Sequence, residues 1–292
     1  MANLLLFLPY LITGMLPFVV GTLLAGVSGY PVRLGVAGAG ALGLAALILA
    51  AALSREVHAP KAGGLPPWPG LSLRRANHLA YAWLALAALI GLLLQLSGLT
   101  GEMTIPLGAL GLLGGYFLFA PPLELHRRGL GEAAGALGYG VLPTLAGYYL
   151  QSGHLVAEIF FFGLPLTFAA FNVFLIHGFP PADGSRPGRP GSLAERLGPG
   201  AGALIYSLAN VLIILGLILC LWLPASPLPF REALWVLMVL AVVNQELIKR
   251  KAYRSETRLK LLRWLTLGLH LGMGVLFALM AWPRVYQTFG GF

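Results

Sequence analysis

Long apolar runs, each closed off by a few charges, prolines or glycines, dominate this chain. Nine can be placed, at about 4–27, 33–53, 76–98, 104–121, 133–151, 156–177, 200–223, 232–248 and 262–283. A helix needs about 20 apolar residues to cross the hydrocarbon core of a bilayer, and most of these runs approach that length. None shows the strict alternation of a membrane β-strand. Some runs are interrupted by glycine, the fourth by Gly108, Gly111, Gly114 and Gly115, and small residues let helices approach closely in lipid. The pattern predicts an all-α polytopic membrane protein with nine transmembrane helices in a single domain, 1–292.

Composition agrees with that reading. The chain is 58% hydrophobic and 10% charged with a mean hydropathy of +0.83, against about 25% charged residues in soluble domains. The net charge of +9 comes from 19 Lys and Arg against 10 Asp and Glu. Its placement gives it a meaning that excludes nucleic acid. Arg55, Lys61, Arg74 and Arg75 follow the second run, and Arg127 and Arg128 the fourth. Arg186, Arg189 and Arg196 follow the sixth, and Lys249, Arg250, Lys251, Arg254, Arg258, Lys260 and Arg263 the eighth. Only Arg33, Arg231 and Arg284 fall on the other side. The positive-inside rule puts the basic loops and the N-terminus in the cytoplasm and the C-terminus outside. The expected location is a prokaryotic cytoplasmic membrane. No Lys or Arg precedes the first run and no small-residue cleavage site follows it, so it reads as a retained span and not a signal peptide. The single cysteine, Cys220, excludes a disulfide or a cysteine metal site within one chain.

The two longest basic loops, 54–75 and 178–199, are both rich in Pro and Gly and lie four spans apart. That spacing hints at an internal repeat. Between them, the stretch from Tyr116 through Pro121-Pro122 to Arg127-Arg128-Gly129-Leu130-Gly131-Glu132 resembles a signature of the UbiA superfamily of membrane prenyltransferases. The continuation from Gly138 through Pro143, Tyr148-Tyr149 and Gln151 to Gly153 looks like the dihydroxynaphthoate polyprenyltransferases of menaquinone synthesis. Ser192-Leu-Ala-Glu-Arg196-Leu-Gly198 and the opening around Pro17 and Gly21 are similar to other family segments. The resemblance implies a bundle of nine helices around a central cavity with an interior N-terminus. It also implies transfer of a polyprenyl group from its diphosphate, held on Mg²⁺ by two Asp-rich motifs.

Those motifs are changed here. The second run ends in Ser54-Arg55-Glu56-Val57-His58 without Asp or Asn, and the sixth ends in Phe171-Asn172 through His177 to Pro180-Pro181. The one aspartate of the chain, Asp183, lies beyond that proline pair. Mg²⁺ favours near-octahedral oxygen coordination through carboxylates, phosphate oxygens and water. Glu56 and Asp183 are the catalytic candidates, and with His58 they are the candidate metal ligands. Arg55, Arg127, Arg128 and Arg186 are candidates for binding phosphate or another anion, with a topogenic role for the Arg127–Arg128 pair as the alternative. Asn172, His177, Tyr148 and Tyr149 are candidates for lining the cavity. Interfacial packing is the alternative for His58, His177 and the two tyrosines. Glu132 reads at least as well as a helix N-terminal charge as a catalytic residue, while Asn244, Glu246 and His270 are polar groups near or within spans. Trp222, Trp235, Trp264 and Trp282 read as interface anchors.

Arg55 puts positive charge where a metal would sit. The leading expectation is therefore a member of this family that has lost Mg²⁺-diphosphate prenyl transfer. It would keep a cavity for an isoprenoid, quinone, pigment or lipid, or serve as a subunit of a membrane complex. The alternative is an active aromatic polyprenyltransferase of menaquinone type with a diverged metal site and Mg²⁺ as cofactor. A transporter is the third reading.

Overall fold

A computed structural model describes residues 8–59, 72–180, 192–222 and 231–289. Its helices are α1 (Leu8–Val27), α2 (Leu34–His58), α3 (Leu73–Leu96), α4 (Thr104–Tyr116), α5 (Gly131–Gly138), α6 (Val141–Ser152), α7 (Glu158–His177), α8 (Leu193–Leu197), α9 (Pro199–Trp222), α10 (Leu234–Lys249) and α11 (Glu256–Phe289). No strand occurs among the described residues. Among the described residues, six helices are long and apolar enough to cross a membrane: α1, α2, α3, α7, α9 and α11. The other three predicted spans contain shorter helices: α4, the α5–α6 pair, and α10.

Several boundaries differ from the sequence reading, each for a local reason. The second run does not stop at Leu53. Helix α2 continues to His58, so Arg55, Glu56 and His58 are helical and not in a loop. Basic residues in a last helical turn complement the helix dipole. The run 133–151 is not one helix but two, broken at Tyr139–Gly140. At Gly140 the chain presses on α7 so closely that a methyl group would overlap Thr167. The Thr167 hydroxyl then accepts the Val141 N–H at 2.8 Å and donates to the Gly163 carbonyl at 2.8 Å. It thereby satisfies an amide that the break leaves without an intrahelical partner. The last span begins at Glu256, six residues early, and the basic segment before it folds into a tight turn with Lys251 in the left-handed region.

The helices close into a ring. Helix α1 lies along α6 and α11, α7 packs on α9 and α11, α10 bridges α9 and α11, and α2 joins α3 and α4 to the rest. The α1–α6 crossing is the tightest described. A methyl on Gly21 would overlap the Thr144 carbonyl, and one on Gly147 would overlap the Phe18 carbonyl. Buried side chains from α1, α6, α7, α9, α10 and α11, among them Val20, Tyr148, Leu166, Ile213, Leu237 and Phe277, form the main core. Leu204, Leu208, Val239 and Leu279 are exposed on the outside, as expected of a surface solvated by lipid. Trp222, Trp235, Trp264 and Trp282 are exposed too.

Arg33 locks one end of the bundle. Its backbone N–H donates to Gln151 Oε1 at 2.8 Å, and its guanidinium donates to the carbonyls of Leu99 and Leu150. It thus ties the start of α2 to the last carbonyls of α6 and to the turn before α4. The other end of the bundle carries most of the ionisable groups.

Candidate functional site

A cavity of about 2080 Å³ runs inside the ring. Its walls are mostly apolar, from Leu44, Leu47 and Ile90 near α2 and α3 to Leu142 on α6. At one end it is lined by Arg55, Glu56, His126, Arg127, Glu132, His177, Glu195, Arg196 and Arg263. The described carboxylates and cations that face the cavity are thus confined to one mouth.

The loop after α4 builds much of that mouth. The chain turns at a cis Pro121–Pro122 bond and passes through left-handed conformations at Glu124 and Gly129. The Leu118 carbonyl accepts the His126 N–H at 3.0 Å and also meets His126 Nδ1 at 3.0 Å. This folds the loop back on itself. Burial lowers the pKa of the His126 imidazole, with the Leu118 hydrogen bond acting in the opposite direction. Arg127 pairs with Glu124 at 3.0 Å and donates to the His58 carbonyl at 3.4 Å, tying the loop to the end of α2. Arg196 donates to the Arg127 carbonyl, so α8 is tied to the same loop. Arg55 donates to the Tyr10 hydroxyl at 3.1 Å.

Two of the acidic groups at the mouth have structural partners. Ser192 and Glu195 form a reciprocal capping box at the start of α8. Glu132 is buried, and its Oε1 accepts the Leu193 N–H at 2.7 Å. Its Oε2 has no partner among the described residues. Burial, the largest effect, raises the Glu132 pKa above the usual carboxylate value, opposed by the backbone hydrogen bond from Leu193.

The sequence-derived candidates separate in space. Arg55, Glu56, Arg127 and His177 line the cavity, while His58, Arg128, Asn172, Tyr148 and Tyr149 are not among its lining residues. Residues 55, 56 and 58 follow the helical turn of α2, which directs neighbouring side chains to different faces. Arg128 donates to the Pro122 carbonyl at 3.1 Å. Tyr148 is a core residue packed edge-on against Tyr30, and the Tyr149 hydroxyl accepts the Met103 N–H at 2.8 Å near the start of α4. Asn172 is fully buried and donates to the Tyr206 carbonyl at 3.2 Å. Asp183 and Arg186 lie outside the described residues. Sequence reasoning missed Arg263, Glu195 and Tyr139 as cavity residues. The Ser192-x-x-Glu195 spacing of a capping box could have marked the start of α8.

Among the described residues, no group of three or more His, Cys, Asp or Glu side chains is placed to hold a metal ion. Glu56 faces the cavity beside the cationic Arg55, Glu132 is engaged with Leu193, and Glu195 caps α8. The described donors do not by themselves make the near-octahedral oxygen shell that a Mg²⁺ ion takes from carboxylate, phosphate and water, and the candidate ligand Asp183 lies outside the described residues.

An all-helical membrane bundle around a cavity with one charged mouth is the class of protein that this geometry defines. The chain has the fold of UbiA homologues. It matches the apo structure of a UbiA homologue from Aeropyrum pernix K1 with a TM-score of 0.66 and 17% identity, over 91% of this chain and 97% of that one. A digeranylgeranylglyceryl phosphate synthase structure matches with a TM-score of 0.65 and 13% identity, over 96% and 99%. A UbiA homologue from Archaeoglobus fulgidus bound to DMAPP and Mg²⁺ matches with a TM-score of 0.62 and 16% identity, over 92% and 96%. No family model and no curated protein matches the sequence.

Proposed function

We propose that this protein binds one long isoprenoid, quinone, pigment or lipid molecule and does not perform Mg²⁺-dependent prenyl transfer. In this reading the tail lies along the apolar walls and the polar or anionic head sits at the arginine-lined mouth. The observation that carries the proposal is the cavity itself: about 2080 Å³ of mostly apolar space with Arg55, Arg127, Arg196 and Arg263 at one end. Pockets for drug-sized ligands occupy about 300–1,000 Å³, so a long chain has room. Guanidinium groups pair well with phosphate or carboxylate oxygens. The donor set described above speaks against a magnesium diphosphate. The topology that goes with this reading has nine spans, the charged mouth and the N-terminus in the cytoplasm, and the C-terminus outside, supported by the basic loops.

A second reading, an aromatic polyprenyltransferase similar to those acting on dihydroxynaphthoate, rests on one observation. Glu56 faces the cavity in a fold that binds DMAPP and Mg²⁺ in a solved homologue. The two readings separate when purified protein is incubated with Mg²⁺, polyprenyl diphosphates and 1,4-dihydroxy-2-naphthoate. The expected result is no prenylated product, with a tail-bearing molecule recovered by mass spectrometry of the purified protein. Turnover that disappears in Glu56→Gln overturns the proposal.

A further inference from the structure

A second polar feature lies inside the bundle, among α7, α9, α10 and α11. Asn172, Asn210 and Asn244 are each 0% exposed, and they sit among apolar core residues. Asn172 Nδ2 donates to the Tyr206 carbonyl at 3.2 Å. Asn210, one turn further along α9, donates from Nδ2 to the Ala241 carbonyl at 2.8 Å and to Gln245 Oε1 at 3.2 Å. Asn244 shares the buried face of α10 with Ala241 and Ile248. On α11, the Thr266 hydroxyl donates to the Leu262 carbonyl at 2.7 Å and meets the Tyr206 hydroxyl at 2.6 Å. Thr266 has spent its only hydrogen on Leu262, so Tyr206 is the donor between them.

The remaining polar atoms do not balance. Asn172 Oδ1, Asn210 Oδ1, and both Oδ1 and Nδ2 of Asn244 have no partner among the described residues. The amide orientations of Asn172 and Asn210 are fixed by the carbonyls that their nitrogens reach, so their oxygens are the atoms that lack donors. Flipping Asn244 changes nothing, because both of its ends are open. Buried polar groups in native proteins are nearly always paired, with protein or with ordered water. In a membrane interior the surrounding lipid offers no alternative.

We infer that this seam between α9, α10 and α11 is an internal-water site, centred on Asn210 and Asn244. The chemistry selects the ligand. A cation would satisfy the amide oxygens of Asn210 and Asn244 but would be repelled by the Asn244 Nδ2 hydrogens. An anion would satisfy that nitrogen and be repelled by the oxygens. Water donates and accepts, and a buried water commonly makes about three hydrogen bonds. None of the three asparagines lines the main cavity, so this site is independent of the ligand proposed above.

The test uses hydroxyl-radical footprinting by X-ray radiolysis of the full chain in nanodiscs, which labels side chains beside bound water even when bulk solvent is excluded. Tyr206 is the reporter, being 0% exposed and part of the seam. The expected result is labelling of Tyr206 well above that of Tyr148, a buried tyrosine in the main core, with a several-fold loss in Asn244→Leu. Should Asn244→Leu not fold, Asn244→Ser takes its place, with a smaller loss expected. Labelling of Tyr206 no higher than Tyr148, or labelling unchanged by the folded variant, overturns the inference.

Discussion

Glu132 accepts the backbone N–H of Leu193 at 2.7 Å, joining the first turn of α5 to the first turn of α8 across 61 residues of sequence. The bond holds the segment that follows α7 against the charged mouth. Its carboxyl is buried, and that burial raises its pKa above the ordinary 4.5. The folded protein therefore binds this proton more tightly than the unfolded chain. The stability contributed is fully present below about 4.5 and is lost as pH rises through the raised folded value. Glu132→Gln keeps an acceptor for Leu193 but removes the titration. Thermal unfolding of the two proteins across this range should show the variant gaining on wild type as pH rises to neutral. A pH-independent difference would rule this out.

The α1–α6 crossing leaves no room for a side chain. Gly21→Ala and Gly147→Ala each drive a methyl into a backbone carbonyl, which cannot rotate away as a side-chain tip can. Overpacking of this kind costs about 1–3 kcal/mol or more. Both variants should melt well below wild type. Gly38→Ala, in α2 with open space around it, should be neutral or slightly stabilising, since Ala is favoured in helices by about 1 kcal/mol. Equal melting of all three would contradict the close approach.

Arg33 should matter for stability and not for ligand. It caps the end of α6 and the turn before α4, at the end of the bundle away from the charged mouth. Arg33→Ala should cost about 2 kcal/mol in chemical unfolding, the scale of hydrogen bonds made by a charged group. Its affinity for a tail-bearing ligand should equal that of wild type. A loss of affinity in folded protein would mean that the two ends are coupled.

Arg55 should matter for ligand and little for stability. Its one described side-chain hydrogen bond runs to the Tyr10 hydroxyl. If the mouth holds an anionic head, Arg55→Ala should weaken binding of a polyprenyl phosphate about tenfold or more, from a lost charge-assisted bond. EDTA should leave the wild-type affinity unchanged. Binding that requires Mg²⁺ would favour the transferase reading instead.

The fold was far more legible in the sequence than the site. Apolar run length placed the six long helices because lipid demands it, and the proline pair at 180–181 sat just past the end of α7, where the helix stops at His177. The break at Gly140 was not readable, since it depends on contact with Thr167, 27 residues away. The same holds for the site. Arg55 and Arg127 were found as charges at helix ends. Glu132 looked like a dipole-complementing residue because its partner, the Leu193 amide, is a backbone group brought in by tertiary structure. Tyr148 and Tyr149 looked like cavity residues by adjacency, yet neither lines it. Successive residues on one helix point in different directions, and sequence proximity does not carry orientation.

The two glycines of the α1–α6 crossing also set where the molecule can give. With backbone pressed on backbone at Gly21 and Gly147, that crossing has little freedom to shift and behaves as a fixed spine. On the α3 flank the packing is lighter: α3 buries little of its surface and packs chiefly on α2 and α4. Gly108 and Gly114 of α4 face open space. A bundle stiff on one side and loosely braced on the other opens asymmetrically. If the cavity takes up a long molecule from the bilayer, as proposed above, widening it should cost least along the α3–α4 flank.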